Sequence, residues 1–218
     1  MSITYAFINH ESTGSASALM RHLVEATNLN ASGLAQAMGV APSTVTRALR
    51  GEVCPRYDDM LHYAYCLGFT VEGNNVVRPA HLKGYRSPKE MGDFINAELA
   101  GGLDAERLDV LLRYLPKAVL DWQELSDEDQ DRLMLQPARV TDARFQALVE
   151  GAVQYFAHQN RWKEAPSWTE RTRLKEPFVP RAAVREVGSR WYARMQKRLC
   201  PEFLNKNVLF TCDEMKVL

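Results

Sequence analysis

Cys54 and Cys66 stand twelve residues apart, and so do Cys200 and Cys212. Paired thiolates are the commonest protein ligands of structural zinc. Such sites space their cysteines two to four residues apart, or their histidines three to five apart. Neither spacing occurs here, so no metal is expected and all four cysteines read as ordinary reduced thiols. The histidines, His10, His22, His62, His81 and His158, are scattered singly and read as surface or core residues rather than bases or ligands. The acid run "DEDQD", Asp127 to Asp131, reads as a solvated helix start, where carboxylates favour the dipole. Trp122, Trp162, Trp168 and Trp191 could line a ligand pocket but read as core. No His-Glu-x-x-His, Walker loop, Gly-x-Ser-x-Gly or dinucleotide fingerprint is present. The expectation is therefore a non-enzyme with no catalytic residues and no cofactor.

A different chemistry is written in "GVAPSTVTRALRG", Gly39 to Gly51. Pro42 suits the first turn of a helix, where its missing N–H costs nothing. Val45 and Leu49 lie on one side of that helix. Ser43, Thr44, Thr46, Arg47 and Arg50 lie on or near the other. Hydroxyls and guanidinium groups on an exposed helix can meet base edges and phosphates in a DNA major groove.

The elements that must hold this face read as follows. Residues 15–27 and "ASGLAQAMG" are helices, the second ending at Gly39 in a left-handed terminal position. "STVTRALR" is the third and "PRYDDMLHYAYCLGF" the fourth. The stretch from residue 70 to 88 reads as a linker or a short hairpin around "GNN". Domains are thus expected at 1–76 and 89–218, joined by a linker at 77–88. In the second, "SPKEMGDFINAELAGG" is a helix with Ser87 as cap, Pro88 first and Glu90 third. A long helix follows, bent or broken at Pro116. "TDARFQALVEGAVQYFAHQNRW" is amphipathic, with Phe145, Leu148, Val149, Val153 and Phe156 on one stripe. "AAVREVGSRWYARMQKRLC" is a basic helix, and Asn207 to Cys212 is the strongest strand candidate. The fold class expected is mainly α, with at most a short strand near the C-terminus.

The 218 residues carry no net charge, which argues against nonspecific coating of nucleic acid. The average conceals two blocks. Lys89 to Asp131 holds twelve acidic and four basic residues, and Arg161 to Arg198 holds eleven basic and four acidic. No apolar run approaches the ~18 residues of a membrane span. The N-terminal "MSITYAFINHESTGS" lacks the basic start and apolar stretch of a signal peptide, so a cytoplasmic protein is expected.

Residues 16 to 72 resemble the Cro/repressor (Xre-type) helix-turn-helix family, on "GLAQAMGVAPSTVTRALRG" followed by "CPRYDDMLHYAYCLG". The resemblance implies a five-helix bundle that binds operator DNA as a homodimer. It implies that Pro42, Ser43, Thr44 and Arg47 face bases, while Thr46, Arg50 and Arg56 meet the backbone. The chain departs from the pattern at Ala31, where many members carry a phosphate-binding glutamine. Some repressors of this kind cut themselves at Ala-Gly with a Ser/Lys peptidase domain. "ELAGGL" contains Ala100-Gly101, but that peptidase is rich in strands and this region reads as helical. Residues 140 to 218 resemble, more distantly, the antitoxins of bacterial toxin–antitoxin pairs. That resemblance implies a repressor of its own operon that holds a toxin protein inactive. The acidic block could then cover a phosphate-binding site on the toxin, and Asn207 to Cys212 could add a strand to its sheet. The alternative is a phage or host regulator controlled by a ligand or another partner. Few phosphate contacts per copy mean weak binding by a monomer, so the second domain is expected to serve dimerisation and partner binding.

Overall fold

A computed structural model of the chain describes residues 12–72, 75–79, 82, 84–159, 164–180 and 198–216. Among these the protein is mainly helical, with one two-stranded sheet. The chain divides into two units, residues 1–83 and 84–218, each with its own apolar core.

The first unit contains α1 (Ser12–Thr27), α2 (Ala31–Met38), α3 (Pro42–Leu49), α4 (Tyr57–Cys66) and a hairpin of β1 (Thr70–Glu72) and β2 (Asn75–Val77). Helical periodicity puts Leu19, Met20 and Leu23 of α1 on one face, and all three are buried. Leu34 and Ala35 of α2, Val45 and Ala48 of α3, and Met60 and Ala64 of α4 complete the core. The hairpin is antiparallel, with Val71 opposite Val76, and both valines pack on that core. Where the resemblance implies a fifth helix, the described residues carry this hairpin instead. "TVEGNNVV" explains the difference: β-branched residues flank a Gly-Asn turn signal, which favours a two-stranded reversal.

The second unit contains α5 (Pro88–Ala100), α6 (Ala105–Gln123), α7 (Asp127–Met134), α8 (Ala143–Gln159), a 3₁₀ turn at Ser167–Glu170 and α9 (Pro201–Leu204). Residues 85–88, expected as linker, are fastened to it. The Arg86 carbonyl accepts from the Trp122 indole at 2.7 Å, and Ser87 forms a reciprocal capping box with Glu90. α6 runs unbroken through Pro116, which is buried, so the expected break does not occur. Packing on both sides holds the turn together despite the missing N–H.

α8 is buried on nearly every side rather than on one stripe. α5, α6, α9 and the 3₁₀ turn all pack against it. Its Glu150 is fully buried, yet its oxygens are satisfied. They accept from Lys206 Nζ at 2.9 Å, from the backbone and hydroxyl of Thr172, and from Gln146. Lys206 also donates to the Thr169 carbonyl. A buried carboxylate needs this degree of compensation to remain tolerable.

Two expectations about the tail are corrected. Asn207 to Cys212 forms no continuous strand. Single bridges join Phe178 to Val208 and Leu199 to Thr211, and Val208, Leu209 and Phe210 are buried in the unit. The segment packs into the core of its own unit. Cys200 and Cys212 are joined in a disulfide, not left as thiols. Cys200 N–H donates to the Phe210 carbonyl and Cys212 N–H to that of Arg198, which folds the segment back and brings the two Cα atoms to 4.9 Å. Cys54 and Cys66 are in no disulfide. All but the last three residues of the expected basic helix, 198–200, lie outside the described residues.

No described helix is long and apolar enough to cross a membrane.

Candidate nucleic-acid interface

α2 and α3 end in terminations of one kind, the first of which makes the turn between them. Gly39 has φ +68°, and its N–H and that of Val40 donate back to Gln36 and Ala35. Gly51 has φ +75°, and its N–H and that of Glu52 donate back to Ala48 and Arg47. Each is a Schellman closure, which needs a left-handed residue and so favours glycine. The start of α2 is fixed by Asn30, whose side chain accepts from Gly33 N–H at 2.8 Å. The end of α3 is fixed from α1, where the buried Ser17 hydroxyl donates to the Ala48 carbonyl at 3.0 Å.

With α3 closed at Gly51 and its last turn tied to α1, its outer face can be read off. Pro42 is the first residue of the helix, and Pro42, Ser43, Thr44, Arg47 and Arg50 are all exposed. Thr46 is half-buried, and its hydroxyl donates to the Pro42 carbonyl at 3.0 Å, leaving its oxygen as an acceptor. Arg56 is exposed as the N-terminal cap of α4, and its backbone N–H donates to Asp59 at 3.3 Å. The seven sequence-selected residues therefore occupy α3 and the turn that follows it. Pro42, Ser43 and Thr44 gather at the start of the helix, Arg47 and Arg50 at its end.

Sequence reasoning missed Glu52. Its carboxylate sits between the two arginines, 3.6 Å from Arg47 Nε and 3.7 Å from Arg50 Nη1. The signal was available in "RALRGE": a Schellman closure at Gly51 returns the next residue over the last turn of the helix. All three side chains are well exposed, so these pairs are weak and open to competition by another anion. Ser17 was also missed, because nothing local marks a serine 31 residues from its acceptor.

The other candidate chemistry is accounted for structurally. Among the described residues no group of three His, Cys, Asp or Glu side chains is placed to hold a metal ion. "DEDQD" begins α7 behind the Ser126 cap, and Glu128 and Asp129 pair with Arg132. Half of the twelve acids in the block pair with cations three or four residues away, Asp93 with Lys89, Asp104 with Arg107, Asp109 with Arg113 and Asp121 with Lys117 besides the two on Arg132. Trp122 and Trp168 are core residues whose indoles donate to the Arg86 and Met134 carbonyls. Trp162 and Trp191 lie outside the described residues, as do His10 and His81. His158 Nδ1 lies 2.7 Å from the buried Glu202, and His62 Nε2 lies 3.6 Å from Cys66 Sγ.

Comparison of the chain with family models, with curated proteins and with solved structures returns no match.

Proposed function

We propose that the chain is a sequence-specific, non-enzymatic DNA-binding protein that acts as a transcriptional repressor, as a homodimer on an operator. The observation that carries this reading is the exposed row of Ser43, Thr44, Arg47 and Arg50 on a helix whose last turn is closed at Gly51 and tied to α1. A rigid helix bearing short donors at its start and guanidinium groups at its end suits a major groove. Arg47 is the residue proposed to read a base, and Arg50 and Arg56 are proposed to meet phosphates.

The test is a mobility shift of the full-length protein on its own upstream DNA against a scrambled duplex, over a salt series. Tight, salt-sensitive preference for the upstream DNA is expected. Arg47→Ala should lose about 1–3 kcal/mol of that preference while keeping most nonspecific affinity. Equal binding of both duplexes at every salt concentration would sink the reading.

For the second unit the proposal is partner binding. The more distant resemblance makes that partner a toxin and the protein an antitoxin that represses its own operon. A second reading, a phage or host regulator controlled by a ligand or another protein, is favoured by one observation. The segment from 208 to 211, which would have to add a strand to the toxin, is buried in the unit. Co-purification with the product of an adjacent small gene would decide for the antitoxin.

A further inference from the structure

Three large apolar side chains stand exposed on α4: Tyr57 at 53%, Leu61 at 39% and Tyr65 at 52%. They are four residues apart, so they form one ridge on the helix. Met60 and Ala64, on the stripe beside it, are in the core, so the ridge runs along the edge of the buried face. We propose that this ridge is the surface by which two copies of the chain pair, with their α4 helices antiparallel about a two-fold axis at Leu61.

The occupant follows from the order of residues. An isologous contact requires that residue i meet j and that j meet i. Tyr57–Leu61–Tyr65 reads the same from both ends. Antiparallel pairing lays Leu61 on its own copy and Tyr57 on the copy's Tyr65. Charge agrees with that direction. Asp58 stands near the start of α4 and His62 further along the same side, both exposed. Antiparallel copies bring each Asp58 toward the other's His62 and oppose the two helix dipoles.

The area of the ridge is small. The ridge offers roughly 250 Å² per copy, taking about 200 Å² for a whole tyrosine side chain. A standard interface uses about 800 Å² per partner. So small an area makes a weak pair in free solution, and a dissociation constant on the order of 100 µM is the value put to the test. Binding of both copies to adjacent half-sites would raise their effective concentration and complete it. The proposal assigns dimerisation to α4 rather than to the second unit, where the sequence pattern places it. It rests on the exposed ridge and not on DNA contact.

The experiment is sedimentation and cross-linking of the full-length protein without DNA. The wild-type weight-average mass should rise toward twice the monomer between about 10 and 300 µM, the range that brackets such a constant. Leu61→Lys, at an exposed position, should keep its helical circular dichroism and remain monomeric throughout. In a Cys54→Ser/Cys66→Ser background, Leu61→Cys should cross-link to itself under mild oxidation. Tyr57→Cys should not, because its two copies lie about 12 Å apart along the helices. A mixture of Tyr57→Cys with Tyr65→Cys should cross-link. Sedimentation of Leu61→Lys like wild type would overturn the proposal. So would Leu61→Cys cross-linking no faster than Val110→Cys in the second unit, or Tyr57→Cys cross-linking to itself as readily. Because no DNA is present, failure here leaves the DNA-binding reading standing, and failure of that reading leaves this one standing.

Discussion

Asp142 shows what a single carboxylate does for the second unit. It precedes α8, accepts the Arg144 N–H at 2.8 Å and grips the Arg144 guanidinium. That guanidinium also lies over the Phe178 ring. The hydrogen bond from the Arg144 side chain holds the Asp142 carboxyl below its ordinary pKa, helped by backbone donors and opposed by partial burial. A depressed folded pKa means that ionised Asp142 favours the folded state. Its contribution is full above the usual aspartate value of about 3.9 and is lost as pH falls through the lower folded value. Asp142→Ala should cost about 1 kcal/mol at neutral pH. Asp142→Asn keeps a capping oxygen but not the charge, so its deficit against wild type in urea unfolding should shrink between pH 6 and pH 3. A constant deficit would assign the effect to the cap alone. At this scale the sequence is legible where partners are close. Ser87, Pro88 and Glu90 announce their capping box within four residues. Glu150 does not announce Lys206, because the partner of a buried charge is chosen by the fold and here lies 56 residues away.

Among elements, the tail is the instructive case. Residues 207–212 have strand composition, but β-propensity reports only a side chain suited to a half-buried pleated surface. Val208, Leu209 and Phe210 are buried against the helical unit with single bridges in place of a ladder. The same fold-back creates the disulfide, which spacing alone could not disclose because a twelve-residue separation is neutral between thiol and bridge. Closing a loop of that length removes unfolded-state entropy worth about 3 kcal/mol. Cys200→Ser with Cys212→Ser should lower the melting temperature of the second unit by roughly 10 °C. Wild type in strong reductant should fall to the same value, and an unchanged melt under both treatments would show that the bridge carries no stability. The helix pair of the first unit was legible because its determinants are local: Asn30, Gly39, Pro42 and Gly51 each act within a turn or two. The hairpin after α4 was half legible, since "GNN" signals reversal and the implied fifth helix came from the resemblance.

At the scale of the whole molecule, the two cores share no buried residue. Fragments of residues 1–83 and 84–218 should therefore each unfold cooperatively, at the denaturant midpoints they show in the intact chain. A fragment without a cooperative transition would make the units interdependent. The units also differ in when they can form. Every core residue of the first is available once residue 82 has been made. The second is built around α8, whose Glu150 has its cation on Lys206. At 5–20 residues per second, a ribosome needs about 3–11 s to add those 56 residues. Through that interval the helix at the centre of the unit holds a carboxylate that cannot be buried without large cost. The first unit can fold while the chain is still being synthesised. The second must wait for its tail, so a chain cut short before Lys206 carries a finished first unit and an unfinished second one, the form that proteases remove.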